Sequence, residues 1–370
     1  MSMKKLKGAT VVITGASSGI GRATALRFAK AGSNVVLAAR GRTALEEAAK
    51  EVRQHKVRAL AVPTDISDEI SVNTLARQAV EQFGGIDVWV NNASVTLFGA
   101  VDTVPTKDIR QVLDTNVMGY VHGSRAALGT MRKQKRGVLI NVSSAVANVP
   151  QPYTAAYSMS KAATSSLSVS LRSELWLDGL KNIHVVNVIP PSVDTPLFGR
   201  AANYSGRKAR AMPPVYPPER IAKAMVKAAT KPEPEVPVGP GAALIVKQHR
   251  AAPQKTERMM AIQTDKSHLS RKEAATPSSG NLYESLTADT DTVHGGWNGK
   301  RRSARRKIIG VGLIMGTAGA GVAGVAVANK LRPRLPGEKA VKTVGKKAVK
   351  AAAKGGAGAA GLAAKRVAGK

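Results

Sequence analysis

Tyr157-Ser158-Met159-Ser160-Lys161 spaces a tyrosine and a lysine four residues apart. On a helix both side chains share one face. A lysine cation beside a phenol favours tyrosinate and is expected to lower its pKa from about 10 toward neutrality. Such a tyrosine can exchange a proton with an alcohol or carbonyl oxygen. Ser144 lies thirteen residues earlier, at the end of an apolar run, and Asn116 sits in Leu-Asp-Thr-Asn-Val.

A second group of residues suits phosphate. Thr14-Gly15-Ala16-Ser17-Ser18-Gly19-Ile20-Gly21 follows a β-branched run and opens a helical stretch. Gly15 permits a tight turn, and Gly19 and Gly21 allow backbone to approach a pyrophosphate. The helix N-terminus adds unpaired N–H groups and a positive dipole end. The next β-branched run ends Leu37-Ala38-Ala39-Arg40. An acid at that end would hold a ribose 2′-hydroxyl. Ala39 stands there instead and Arg40 follows, with Arg42 and Arg22 nearby, which suits a 2′-phosphate and hence NADP(H).

Strand–helix alternation must position these groups. Val11–Ile13, Val35–Leu37, Ala59–Val62, Ile86–Val90, Val138–Val142 and Ile183–Ile189 read as buried strands, with a short one at Glu235–Val238. Amphipathic stretches such as Gly21–Lys30, Thr43–Gln54 and Ser71–Phe83 lie between them. This spacing predicts an α/β fold: a Rossmann-type doubly wound parallel sheet with helices on both faces, plus a C-terminal extension. Three regions are expected: 1–239 as the dinucleotide-binding catalytic domain, 240–299 as a helix and polar linker, and 300–370 as a basic tail. Ala242–Met260 reads as one helix and Thr264–Gly299 as an extended or disordered linker.

Taken in order and spacing, the glycine loop, Asn91-Asn92-Ala93, Asn116, Ser144 and Tyr157/Lys161 resemble the short-chain dehydrogenase/reductase family over about residues 6–239. The resemblance implies Tyr157 as general acid/base and Lys161 as ligand of the nicotinamide ribose. It implies Ser144 as partner of the substrate oxygen and Asn116 as part of a water-linked proton relay. Asp65 in Thr64-Asp65-Ile66-Ser67-Asp68 matches a residue that contacts adenine, with Ile66 beside it. Asn92 and Ala93 would line the cofactor cleft. Pro190-Pro191-Ser192-Val193-Asp194-Thr195 resembles the loop that holds the nicotinamide, with Pro190, Val193 and Thr195 at the cofactor. Two positions depart from the family pattern. Ser94 and Pro191 stand where glycine is usual, and proline at 191 fixes φ and removes an N–H. Residues 196–218 would form the substrate lid. Leu197, Phe198, Tyr204, Met212, Val215 and Tyr216 there suggest an apolar or amphipathic carbonyl substrate, and a homo-oligomer is expected.

The chain has 370 residues, a net charge of +32 and no cysteine. Thiolate metal sites, disulfides and a cysteine nucleophile are excluded, and the scattered histidines suggest no protein-bound metal. No secretory signal is evident, so a cytoplasmic catalytic domain is expected. Residues 300–370 hold 18 Lys and Arg and a single acid, Glu338. Within them Ile308–Asn329 is uncharged, with small residues at Gly312, Gly316, Ala320, Gly324 and Ala328. This segment is long enough to span a membrane, but basic residues flank both ends, which better suits attachment to an anionic membrane surface. Non-specific nucleic-acid contact by the lysine/alanine tail is a weaker expectation. The sequence thus reads as an NADP(H)-dependent carbonyl/alcohol oxidoreductase. The rival reading is a catalytically silent cofactor-binding scaffold docked by its tail.

Overall fold

A computed structural model describes residues 6–286 and 291–297. The first half runs β1 (Thr10–Thr14), α1 (Gly19–Lys30), β2 (Asn34–Ala39), α2 (Arg42–Arg53), β3 (Ala59–Pro63), α3 (Glu69–Phe83), β4 (Val88–Asn91) and β5 (Leu97–Phe98). Next come α4 (Thr106–Leu113), a π-helical turn over Asp114–Met118, α5 (Gly119–Gln134), β6 (Gly137–Val142), α6 (Ala155–Leu177) and β7 (Ile183–Ile189). The remainder is α7 (Leu197–Arg200), β8 (Ala202–Asn203), β9 (Arg207–Ala209), α8 (Pro218–Thr230), β10 (Glu235–Pro237), α9 (Pro240–Ala251), α10 (Pro253–Gln263) and β11 (Leu269–Ala274).

Seven strands form a parallel sheet in the order β10-β7-β6-β4-β1-β2-β3. Alternation within each strand feeds two apolar layers. Val11, Ile13, Val35, Leu37, Val88, Val90, Val138 and Ile140 pack on one face with Phe28, Leu45 and Met225. Val12, Val36, Trp89, Leu139 and Val185 pack on the other with Leu75, Met131 and Leu175. Each buried side chain of this kind stabilises the fold by about 1.5–3 kcal/mol. After β3 the chain returns to the far side of β1, so strand order reverses between β1 and β4. A crevice at such a reversal, beyond the carboxyl ends of the strands, is where open α/β sheets take ligands.

Two expectations for residues 240–299 fail. The single helix over Ala242–Met260 is two helices. Pro253 has no N–H and forces Ala252 out of the helical region, at φ −148° and ψ 74°. The polar stretch from Thr264 is no free linker. A π-helical turn over Thr264–His268 leads into β11, which pairs antiparallel with β9, and Leu282 is fully buried. A few anchors, His268, Leu269 and Leu282, suffice to dock a segment whose average composition is polar. The basic tail and the apolar run 308–329 lie outside the described residues. No helix among the described residues is long and apolar enough to cross a membrane.

Candidate active site

The glycine loop lies at the strand reversal. Gly15 has φ +66°, and a Cβ there would stand 2.7 Å from the Ala93 backbone. A Cβ on Gly21 would meet the Gly15 carbonyl at 2.0 Å. Gly19 has φ +54° and packs against Thr195, so the loop touches the segment after β7. The Thr14 hydroxyl accepts from the N–H groups of Asn92 (2.9 Å) and Ala93 (3.1 Å), and the Asn92 amide donates back to the Thr14 carbonyl at 2.8 Å. These bonds lock β1 to the end of β4 across the reversal. Ser18 precedes α1 in extended conformation, and Ile20 packs on the core. The Ser17 carbonyl accepts from Arg22.

Asp65 accepts from the Ser67 N–H (2.9 Å) and hydroxyl (2.6 Å), which holds the turn after β3. Ile66 packs behind Gly119, and its carbonyl contacts His122 Nδ1 at 3.1 Å. The Pro190 carbonyl accepts from Ala145 N–H, and Val193 and Thr195 are buried beyond it. The hydroxyls of Ser94 and Ser192 are closed to solvent with no hydrogen-bond partner among the described residues. Close backbone approach at three glycines, a helix N-terminus and unpaired hydroxyls at two strand ends fit an elongated, phosphate-bearing ligand such as a dinucleotide.

The proton-transfer group gathers where β6 meets α6. Tyr157 and Lys161 share the first turns of α6, with Lys161 Nζ 5.5 Å from the Tyr157 ring centre. Ser144 caps a short 3₁₀ turn after β6, and its hydroxyl hydrogen-bonds Tyr157. Lys161 is buried and donates to the Val142 carbonyl (3.0 Å) and to the Tyr120 hydroxyl (3.3 Å). Burial lowers the Lys161 pKa to about 7.

The expected lowering of the Tyr157 pKa is reversed. Burial of the phenolate pushes Tyr157 up to about 12, and the Ser144 hydrogen bond only partly offsets this. Sequence spacing supplies the neighbour, but desolvation outweighs it, because the lysine is itself driven toward the neutral amine. A tyrosine held protonated at neutral pH is set up as a proton donor.

Asn116 is fully buried within the π-helical turn. Its amide donates to the Val95 carbonyl (2.8 Å) and the Ser160 hydroxyl (3.0 Å), while its Oδ1 accepts from Val95 N–H (2.9 Å). Both amide hydrogens are thus engaged in joining β5's approach to α6. Tyr120 was not singled out from sequence. It is fully buried, donates to Val142 O at 3.1 Å and supports Lys161. Its position four residues after Asn116, on one face of the same helical run, was the available signal.

Arg40 donates to the carbonyls of Asn281 (2.6 Å), Leu282 (3.0 Å) and Glu284 (3.4 Å). Burial lowers its pKa and the nearby Asp65 charge opposes the shift. Arg22 pairs with Glu51 at 3.0 Å, and Arg42 opens α2 in an exposed position. Of the three arginines, Arg40 meets the C-terminal stretch at Asn281–Glu284 and Arg22 meets it at the Asp291 carbonyl. Phe98 and Phe198 stack edge-on against His268, at 4.9 and 5.4 Å between ring centres. Burial takes His268 down to about 4, so the cluster is neutral and apolar at pH 7.

A family model described as short chain dehydrogenase matches residues 9–204. An uncharacterized oxidoreductase of Bacillus subtilis, YxnA, is 33% identical over 324 residues, covering 85% of this chain and 90% of that protein. A 3-ketodihydrosphingosine reductase of Bos taurus is 32% identical over 234 residues, covering 61% of this chain and 70% of that one. Among solved structures, a short chain dehydrogenase/reductase from Burkholderia phymatum in complex with NAD aligns with TM-score 0.62 at 25% identity, covering 68% of this chain and 95% of that one. An alcohol dehydrogenase from the archaeon Thermococcus sibiricus complexed with 5-hydroxy-NADP aligns with TM-score 0.55 at 26% identity, covering 62% and 95%.

Proposed function

Since this chain belongs to the short-chain dehydrogenase family of oxidoreductases, we propose that it is an NADP(H)-dependent enzyme interconverting a carbonyl compound and an alcohol. The observation that carries the reading is the buried cluster of Ser144, Tyr157 and Lys161 beside the glycine loop. A nicotinamide dinucleotide, when bound, supplies the hydride. Tyr157 gives its proton to the carbonyl oxygen as the alcohol forms, and Ser144 donates a hydrogen bond to the same oxygen. Lys161, in its ammonium form, stabilises the Tyr157 phenolate that this leaves until a solvent proton restores the phenol, and binds the nicotinamide ribose. Asn116 keeps the π-helical turn joined to α6. The glycine loop from Thr14 to Gly21, with Asp65, Ile66, Asn92, Ala93, Pro190, Val193 and Thr195, holds the dinucleotide.

Preference for NADP(H) rests on Arg40 and on the absence of an acid at Ala39. The related structures carry NAD in one case and 5-hydroxy-NADP in the other, so the reading is supported by Arg40 and Ala39 of this chain alone. Tyr153 and Phe198, partly buried over the core cluster that holds Phe98 and Leu269, favour an apolar or amphipathic ketone, and a relative named 3-ketodihydrosphingosine reductase is compatible with that class. Nothing in the cluster favours a silent scaffold, since every proton-transfer group is present. A panel of short- and long-chain ketones with NADPH tests the reading. Turnover on at least one, abolished by Tyr157→Phe with NADPH affinity kept, is expected. Retention of most activity in Tyr157→Phe would sink the assigned chemistry.

A further inference from the structure

Residues 278–286 and 291–297 lie beyond the segment matched to the family model, yet they run along the dinucleotide cleft. Asn281, Leu282 and Glu284 meet Arg40 at the end of β2, and Ser285 packs on Gly41. Thr292 O accepts from Gly19 N–H at 2.9 Å, and the Asp291 carbonyl accepts from Arg22. Asp291 also pairs with Arg200 of α7 at 2.7 Å. Trp297 donates its backbone N–H to Asp194 (2.6 Å) and its indole N–H to the Thr195 carbonyl (3.1 Å). The contacts therefore pass from the β2 end to the glycine loop to the loop after β7. That is the order of adenosine, pyrophosphate and nicotinamide in the reading above.

Three details indicate a ligand-binding wall and argue against a plug. The contacts that the C-terminal stretch makes to Arg40 are neutral carbonyls, so the stretch brings no carboxylate to the guanidinium beyond Asp65 of the turn after β3. The contacts use three of the five guanidinium N–H groups. Only one loop N–H, that of Gly19, is taken by Thr292. The N–H groups of Ile20 and Gly21 have no acceptor within the helix by position. In addition, Asn281 Oδ1 is sealed from solvent with no hydrogen-bond partner among the described residues. A buried amide oxygen without a partner is costly, and a ribose hydroxyl or an adenine amino group would satisfy it.

We propose that these two stretches form the outer wall of the dinucleotide site, with Asn281 binding the adenosine end and the carbonyls of 281, 282 and 284 positioning Arg40. The proposal rests on the nicotinamide-dinucleotide reading, but not on the choice between NADP and NAD. The similarity to the Bacillus subtilis relative covers 85% of this chain and so extends over these stretches.

Hydrogen–deuterium exchange on the full chain, with saturating NADPH, saturating NADH or neither, tests the wall directly. Exchange within 281–286 and 291–297 should slow at least tenfold with either cofactor. Faster exchange on binding, or none of the slowing, overturns the proposal. Two variants sharpen it. Asn281→Leu keeps the volume and removes the amide. It should weaken NADPH and NADH alike by about tenfold while thermal stability is kept or raised. Unchanged affinity for both would refute the role of Asn281. Gly280 has φ +52°, and a Cβ there would lie 2.4 Å from the Arg200 carbonyl. Gly280→Val should lift the stretch and speed NADPH release at least tenfold, with an unchanged far-ultraviolet spectrum; unchanged release with the stretch displaced, judged by exchange, overturns the wall. Equal NADPH and NADH affinity with full protection would defeat only the NADP preference. NADPH preference without protection would defeat only the wall.

Discussion

Replacing Lys161 by methionine should change how stability depends on pH. In the folded protein burial lowers the Lys161 pKa from 10.5 to about 7. Between about 7 and 10.5 the unfolded chain therefore binds more protons at this site than the folded one. Stability contributed through Lys161 rises with pH across that window. Below about 7 both states are charged, and the cost of burying the cation is full. One pKa unit corresponds to about 1.4 kcal/mol. From pH 7 to pH 9 the wild type should gain roughly 2–3 kcal/mol relative to Lys161→Met, the remainder of the shift lying above pH 9. Urea denaturation of both proteins at pH 6, 7, 8 and 9, without cofactor, reads the difference. Working on the difference cancels titrations common to both, and staying below pH 10 avoids Tyr120 and Tyr157, which burial pushes up. A wild-type-minus-variant difference that stays flat from pH 6 to 9 would refute a desolvated Lys161.

Four further outcomes are expected. NADPH should bind wild type at least tenfold tighter than NADH, about 1.4 kcal/mol, and Arg40→Asp should narrow or reverse that ratio in fluorescence titrations. Gly21→Ala places a Cβ 2.0 Å from the Gly15 carbonyl, so it should cost at least about 2 kcal/mol in urea unfolding and abolish dinucleotide binding. Tyr120→Phe removes the hydroxyl that Lys161 contacts but spares Lys161's bond to Val142 O; it should shift the pH profile of kcat several-fold more than it changes KM. Deleting residues 300–370 should leave ketone reduction intact while releasing the protein from anionic vesicles, measured by co-sedimentation with and without 1 M salt.

The sheet and the grouping of Ser144, Tyr157 and Lys161 were legible because both depend on local pattern. Val11 to Ile13 and Val35 to Leu37 alternate between two buried faces, and only β-branched runs of that length fit a doubly covered sheet. The glycine loop was readable because Gly15 and Gly21 stand where any Cβ collides with backbone. What escaped depends on context. Tyr157 and Lys161 are neighbours by spacing, but which way their pKa values move depends on how much water the fold removes. Pro253 interrupts an otherwise helical pattern, because proline lacks the N–H a continuous helix needs there. The stretch around Asn281 was hidden for a different reason: it grips Arg40 through backbone carbonyls, which every residue carries, so its composition betrays nothing.

The bond between Arg22 and Asp291 joins residues 269 positions apart, and the bond from Gly19 to Thr292 is longer still in sequence. During synthesis the glycine loop emerges first and its last partners emerge near the end. The sheet can assemble from its own neighbours, while the wall over the cleft waits for residues past 290 to leave the ribosome. Contacts this remote are slow to close, and domains generally fold as units from the N-terminal side. A nascent or prematurely terminated chain lacking that last stretch would carry a folded sheet with an open cleft. Dinucleotide capture would then report that synthesis has passed residue 297.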